Sequence, residues 1–121
     1  MATNYVQPGS KIEWTNGTGS DVASGAVVEL GNCIAIAEGA IADTETGTVC
    51  LEGVFTVPKV PAAVFAVGEK LIWDTSAGQF DDSSATPATG DITGAAVAVV
   101  AGADTETTCT VKLTPGNTAV A

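Results

Sequence analysis

The chain has no histidine and no arginine, and its only basic side chains are Lys11, Lys59, Lys70 and Lys112. Without histidine, Ser-His-Asp and Cys-His catalytic arrangements are excluded, and the usual zinc ligand sets lose their nitrogen donor. Without arginine, no side chain can clamp a carboxylate or phosphate bidentately. The Gly-x-x-x-x-Gly-Lys-[Ser/Thr] phosphate loop is missing, and Val67-Gly68-Glu69-Lys70-Leu71 only approaches it. Four scattered lysines against 14 acids give a net charge of −10, which opposes the counterion release that drives nucleic-acid binding. No run approaches the ~20 apolar residues of a membrane span. The opening residues have neither the basic nor the apolar region of a secretory signal, so the expected site of synthesis is a cytoplasm. Aromatics are only 5%, so the core must come from Val, Ile, Leu and Ala, and strong helix formers are sparse. These absences predict no nucleic acid, no membrane and no cofactor.

What is present is β sequence. A chain of 121 residues favours one domain, and its 14 glycines suit many turns. Residues 1–10 read as an extended N-terminal arm interrupted by Pro8 and Gly9, and residues 11–121 as a single β domain. Lys11 to Thr15 alternates, with Ile12 and Trp14 on one face. A polar loop follows from Asn16 to Gly25. Ala26 to Leu30 and Cys33 to Ala37 flank the turn pair Gly31-Asn32, the pattern of a hairpin. Thr48 to Val57 reads as one strand ended by Pro58. Lys59 to Glu69 fits either one helical turn or an apolar loop packed on the end of the domain. Lys70 to Asp74 reads as a strand, Phe80 to Thr93 as a long polar loop open to interaction, Ala95 to Ala101 as a central strand, and Thr108 to Thr114 as an alternating one. The sum is eight to ten short antiparallel strands: an all-β sandwich or small barrel with an extended arm and at most one short helix.

Ala42-Asp43-Thr44-Glu45-Thr46 recurs identically as Ala103-Asp104-Thr105-Glu106-Thr107. Two equivalent contact loops would explain this, but the turn chemistry of Asp and Thr suffices.

Chemistry has few candidates. Asp81-Asp82, Asp43/Glu45 and Asp104/Glu106 could pair as glycosidase carboxyls, with Trp14, Trp73, Phe80 and Tyr5 as a sugar platform, but turn acids and core aromatics explain them more simply. The acidic turns lack the calcium-loop pattern. Asn16-Gly17-Thr18 matches a glycosylation acceptor and reads as a turn. Cys33, Cys50 and Cys109 are odd in number and widely spaced, as buried free thiols are.

Several segments resemble a known family. Ala2 to Ser10 followed by Ile12 to Trp14, then Leu51 to Lys59 (LEGVFTVPK), Gly68 to Asp74 (GEKLIWD) and Gly94 to Ala98 match, in order and spacing, the capsid cement or head decoration proteins of tailed bacteriophages. A recombinase label carried by some members does not suit a chain without a phosphate loop or basic patch. The resemblance implies a non-enzymatic virion protein, homotrimeric or otherwise clustered, on the outer capsid surface with the major capsid protein as partner. The arm could add a strand to a neighbour, with Tyr5, Val6, Gln7 and Pro8 in contact and Trp14 and Trp73 as further contact residues. A small binding module for a glycan or host surface is the alternative, and a carboxylate hydrolase a more distant one.

Overall fold

The computed structural model describes residues 3–121. The N-terminal arm falls within these residues except for Met1 and Ala2. Ten strands follow in chain order: β1 (Lys11–Thr15), β2 (Val27–Leu30), β3 (Cys33–Ala37), β4 (Thr46–Cys50), β5 (Val54–Pro58), β6 (Lys70–Asp74), β7 (Gln79–Asp81), β8 (Ile92–Ala98), β9 (Thr108–Leu113) and β10 (Ala119–Val120). They form two open antiparallel sheets, one of order β1-β4-β3-β2 and one of order β5-β9-β8-β6-β7, with β10 added beside β8. The protein is all-β and sandwich-like, and neither sheet closes into a barrel.

The hairpin of β2 and β3 turns at Gly31, whose φ of 69° glycine adopts without steric cost. The expected continuous strand from Thr48 to Val57 is two strands in different sheets. Gly53, at φ 130°, breaks it and lets the chain cross from β4 to β5. Alternation on both sides of Leu51-Glu52-Gly53 hides this corner in the sequence. Residues 59–69 contain no α-helix. They run as an irregular segment whose Ala63 and Phe65 are buried, Phe65 bridging to Gly102. The short helical element is instead a 3-10 turn at Pro115–Asn117. Phe80, expected in a loop, is fully buried in β7, where it packs edge-on against Trp73 at 5.0 Å between ring centroids.

The two sheets are two copies of one unit. The order β1-β4-β3-β2 recurs as β5-β9-β8-β6. Backbone bonds outside the strands recur with it. The Leu51 N–H bonds the Ser10 carbonyl, and Leu113 bonds Gly53. Gly25 bonds Ala37, and Gly68 bonds Ala98. Glu38 bonds Thr48, and Val99 bonds Thr110. The Val22–Ile41 bridge recurs as Phe65–Gly102, with the bulky partner exchanged across it. The two identical pentapeptides fall at corresponding turns, each closed by a bond from its Glu N–H to its Ala carbonyl. Thr44 and Thr105, at φ 69° and 74°, are the non-glycine residues of positive φ among those described. The second unit differs by an insertion between β6 and β8 that carries β7 and the segment 82–91, in place of Gly31-Asn32.

Packing separates the copies. The interior of the first unit holds Val28, Ala35, Ala37, Ile41 and Val49. Leu71, Ala96, Ala98 and Val111, the counterparts of Val28, Ala35, Ala37 and Val49, join a larger core that also takes Ile34, Ile36 and Cys50 from the opposite face of the first. That face of the first unit is thus covered by the second, with β3 lying near β8. The matching face of the second unit carries exposed Lys70 and Lys112 where the first has Val27 and Cys50.

Candidate contact site

The arm residues expected to make contacts are on the surface. Tyr5 and Val6 are 63% and 87% exposed, Gln7 and Pro8 are exposed too, and the Gln7 side-chain amide donates to the Lys11 carbonyl at 3.5 Å. Trp14 on β1 is half-buried against the first unit's interior. Trp73 on β6 is buried, and its indole N–H donates to Glu29 Oε1 at 3.2 Å. Both tryptophans line one open cleft of about 650 Å³, with Asp21, Val27, Glu29 and Thr75. The structure therefore brings Trp14 and Trp73 together, while the arm residues line no part of that cleft.

The acids do not converge. Among the described residues no three His, Cys, Asp or Glu side chains gather as metal ligands would. Asp43 and Glu45 lie on one repeated turn, and Asp104 and Glu106 on the other. Donors hold two carboxyls below their ordinary pKa: the Ser83 N–H and hydroxyl at Glu69, and the Ala77 N–H and Ser76 hydroxyl at Asp74. A general acid needs the opposite shift. Asp91 is buried and structural, taking the Thr75 and Ala88 N–H groups and so anchoring the inserted segment.

Two buried polar residues occupy matching positions after β1 and β5, and alternation patterns give no sign of either. Asn16 is fully buried. Its amide donates to the Ser20 and Ile41 carbonyls, and its carbonyl accepts from the Thr18 N–H and hydroxyl. The folded chain thus offers no free Asn16 amide for a glycan. Lys59 is likewise fully buried, and its ammonium donates to the carbonyls of Val60, Pro61 and Glu106 at 2.9, 3.0 and 3.2 Å. The backbone of each also ties its strand end to the facing acidic turn, the Asn16 N–H donating to Glu45 and the Lys59 N–H to Thr107. The cysteines are free: Cys50 and Cys109 are buried, Cys33 is half-buried, and burial pushes the Cys109 thiol up to about 11.

The apolar run after Pro58 forms the packed loop of the two alternatives, not a helical turn. It packs only in part. Ala63 and Phe65 point inward, whereas Val64 and Val67 are 59% and 65% exposed, beside Val100 at 55%.

What the fold and its surfaces define is an all-β scaffold with an exposed N-terminal arm, rather than a cleft with converging reactive groups. The family model for phage cement proteins matches residues 6–113, and the chain belongs to that family of phage structural proteins. No curated protein and no solved structure gives a significant match. Membership implies a virion component associated with the capsid.

Proposed function

We propose that this chain binds the outer surface of the assembled phage head and stabilises it, without catalytic activity. The observation that carries this reading is the family match over residues 6–113. A cement protein acts by linkage: it binds the assembled shell better than the separated subunits and so shifts the equilibrium toward the shell. That role requires interface rather than chemistry, which suits a surface whose acids stand apart on turns.

The major capsid protein is the proposed partner, together with other copies of this chain in a homotrimer. The exposed arm is suited to adding main-chain hydrogen bonds to a neighbouring strand, with Tyr5 and Val6 as side-chain anchors and Gln7 and Pro8 alongside. The cleft lined by Trp14 and Trp73 is a second proposed contact, reached through the partly exposed Trp14. Residues 11–121 act in this reading as one body, with residues 1–10 as its arm. Its net charge of −10 keeps the free protein dispersed while copies accumulate before assembly.

The test is co-sedimentation of purified protein with heads that lack it, followed by thermal disruption of those heads. Saturable binding and a higher disruption temperature are expected. Heads that neither bind the protein nor gain heat resistance would refute the role.

A further inference from the structure

Outside the insertion, the internal duplication provides a control for surface residues, because positions of one unit have counterparts held by matching backbone bonds in the other. Where the fold alone dictates a residue type, the copies should agree. Where they disagree, something outside the unit is selecting. One disagreement is explained within the chain: Val27 and Cys50 correspond to Lys70 and Lys112, because the second unit packs on the first unit's face at Val27 and Cys50, whereas Lys70 and Lys112 are exposed.

A second disagreement has no such explanation. The bridges Val22–Ile41 and Phe65–Gly102, with the Gly25 and Gly68 bonds, align Asp21 with Val64 and Ser24 with Val67. The matching bonds of Glu38 and Val99 align those two residues, and Gly39 with Val100. One end of the first unit is therefore polar and acidic, while the same end of the second is apolar. Val64, Val67 and Val100 are each more than half exposed, on two segments that the Phe65–Gly102 bridge holds side by side. The first unit folds with Asp, Ser and Gly at these positions, so the valines are not required by the fold. No other part of the chain among the described residues covers them.

Charge identifies the occupant. The patch is bordered by Glu69, whose carboxylate takes the Ala66 N–H, and by Asp104 and Glu106 on the turn that bonds the Pro61 carbonyl through Thr105. Of the nearby cations, Lys59 is fully buried and spent on three carbonyls, which leaves exposed Lys70 as a single positive charge against three carboxylates. An apolar centre with an acidic rim is complementary to an apolar surface flanked by lysine or arginine. It is poorly matched to a second copy of itself, which would set carboxylates against carboxylates.

We propose that the Val64–Val67–Val100 end of the second unit is a docking surface for a basic-rimmed apolar patch on the phage shell. This rests on the head-binding reading above and adds to it a further contact, separate from the arm and from the tryptophan cleft.

The experiment transplants the first unit's residues. The variant Val64→Asp/Val67→Ser is compared with the parent and with the near-isosteric Val64→Thr/Val67→Thr, by circular-dichroism melting, sedimentation velocity and head co-sedimentation. The Asp/Ser variant is expected to melt like the parent and to bind heads about tenfold more weakly or worse, as removal of central interface anchors does. The Thr variant should weaken binding in the same direction, and parental binding should decline as salt is raised. Folded variants that bind as tightly as a binding-competent parent would overturn the docking surface and leave the head-binding role intact. A parent that binds no heads would remove that role and this inference with it. An oligomeric parent whose Asp/Ser variant is monomeric yet still binds heads would make a second copy the occupant, against the proposal.

Discussion

Lys59 shows what a single residue contributes and how far the sequence discloses it. As one of four lysines on an acidic chain, it reads as a solvated charge. In the fold it is fully buried, with three carbonyls around its ammonium. Its place just after Pro58, at a strand end, gives no hint of this. Only the correspondence with Asn16 makes it intelligible: both units place a polar side chain where a strand end meets an acidic turn. Lys59→Met keeps the stem and removes the donors, leaving buried carbonyls unpaired. Urea unfolding should show a loss of about 3 kcal/mol, in the range expected for hydrogen bonds to a charged group and unsatisfied acceptors. Exposed Lys112→Met should stay within about 0.5 kcal/mol of the parent. Equal stability of the two variants would show that the Lys59 ammonium is not structural. The inward positions Cys109, Val111 and Leu113 were, by contrast, plain in the sequence, because clean alternation marks the buried face of a strand directly.

Among the elements, those bounded by glycine or proline were legible. The hairpin at Gly31, the strand Lys70–Asp74 and the strand from Thr108 all lie close to where their patterns placed them. Those that failed did so because two structures share one pattern. Alternation continues through Leu51-Glu52-Gly53 although the chain changes sheets there. Phe80 looked like part of a polar loop because its strand is only three residues long. The repeated acidic turns were recognised as turns, but not their strain. Thr44 and Thr105 hold left-handed φ values, which disfavour a β-branched residue by about 1–2 kcal/mol. Relieving that strain should outweigh the backbone entropy glycine adds to the unfolded chain, about 0.5–1 kcal/mol. Thr44→Gly and Thr105→Gly should therefore each raise the melting temperature by a few degrees, roughly what 0.5–1 kcal/mol yields at this size. A fall in melting temperature for both would mean the threonine side chains contribute more than their backbone strain removes.

For the whole molecule, the all-β class was readable from composition and turn spacing, but the duplication was visible only as one repeated pentapeptide. The remainder is concealed because the copies keep backbone bonds and exchange side chains: Trp14 for Val57, Val22 for Phe65, Ile41 for Gly102. The insertion before β8 further breaks the spacing. Two similar units need not be two independent ones. Ile34, Ile36 and Cys50 of the first unit lie in the same core as Leu71, Ala96 and Val111 of the second. Scanning calorimetry should accordingly show a single transition with equal calorimetric and van't Hoff enthalpies, the mark of all-or-none unfolding. Two resolved transitions would mean that the shared core does not couple the units.

That shared core also has a history during synthesis. All strands of the first sheet have been made once the chain reaches Cys50, but the strands that cover its outer face are complete only at Leu113. At translation rates of about 5–20 residues per second the interval lasts roughly 3–12 s. Once the first sheet has emerged and before its cover follows, Val27, Ile34, Ile36 and Cys50 stand uncovered. Neighbouring ribosomes on one message would carry the same uncovered face at the same moment. The hazard for this chain is greatest before it is finished, when the nearest apolar surface belongs to a sibling rather than to its own second half.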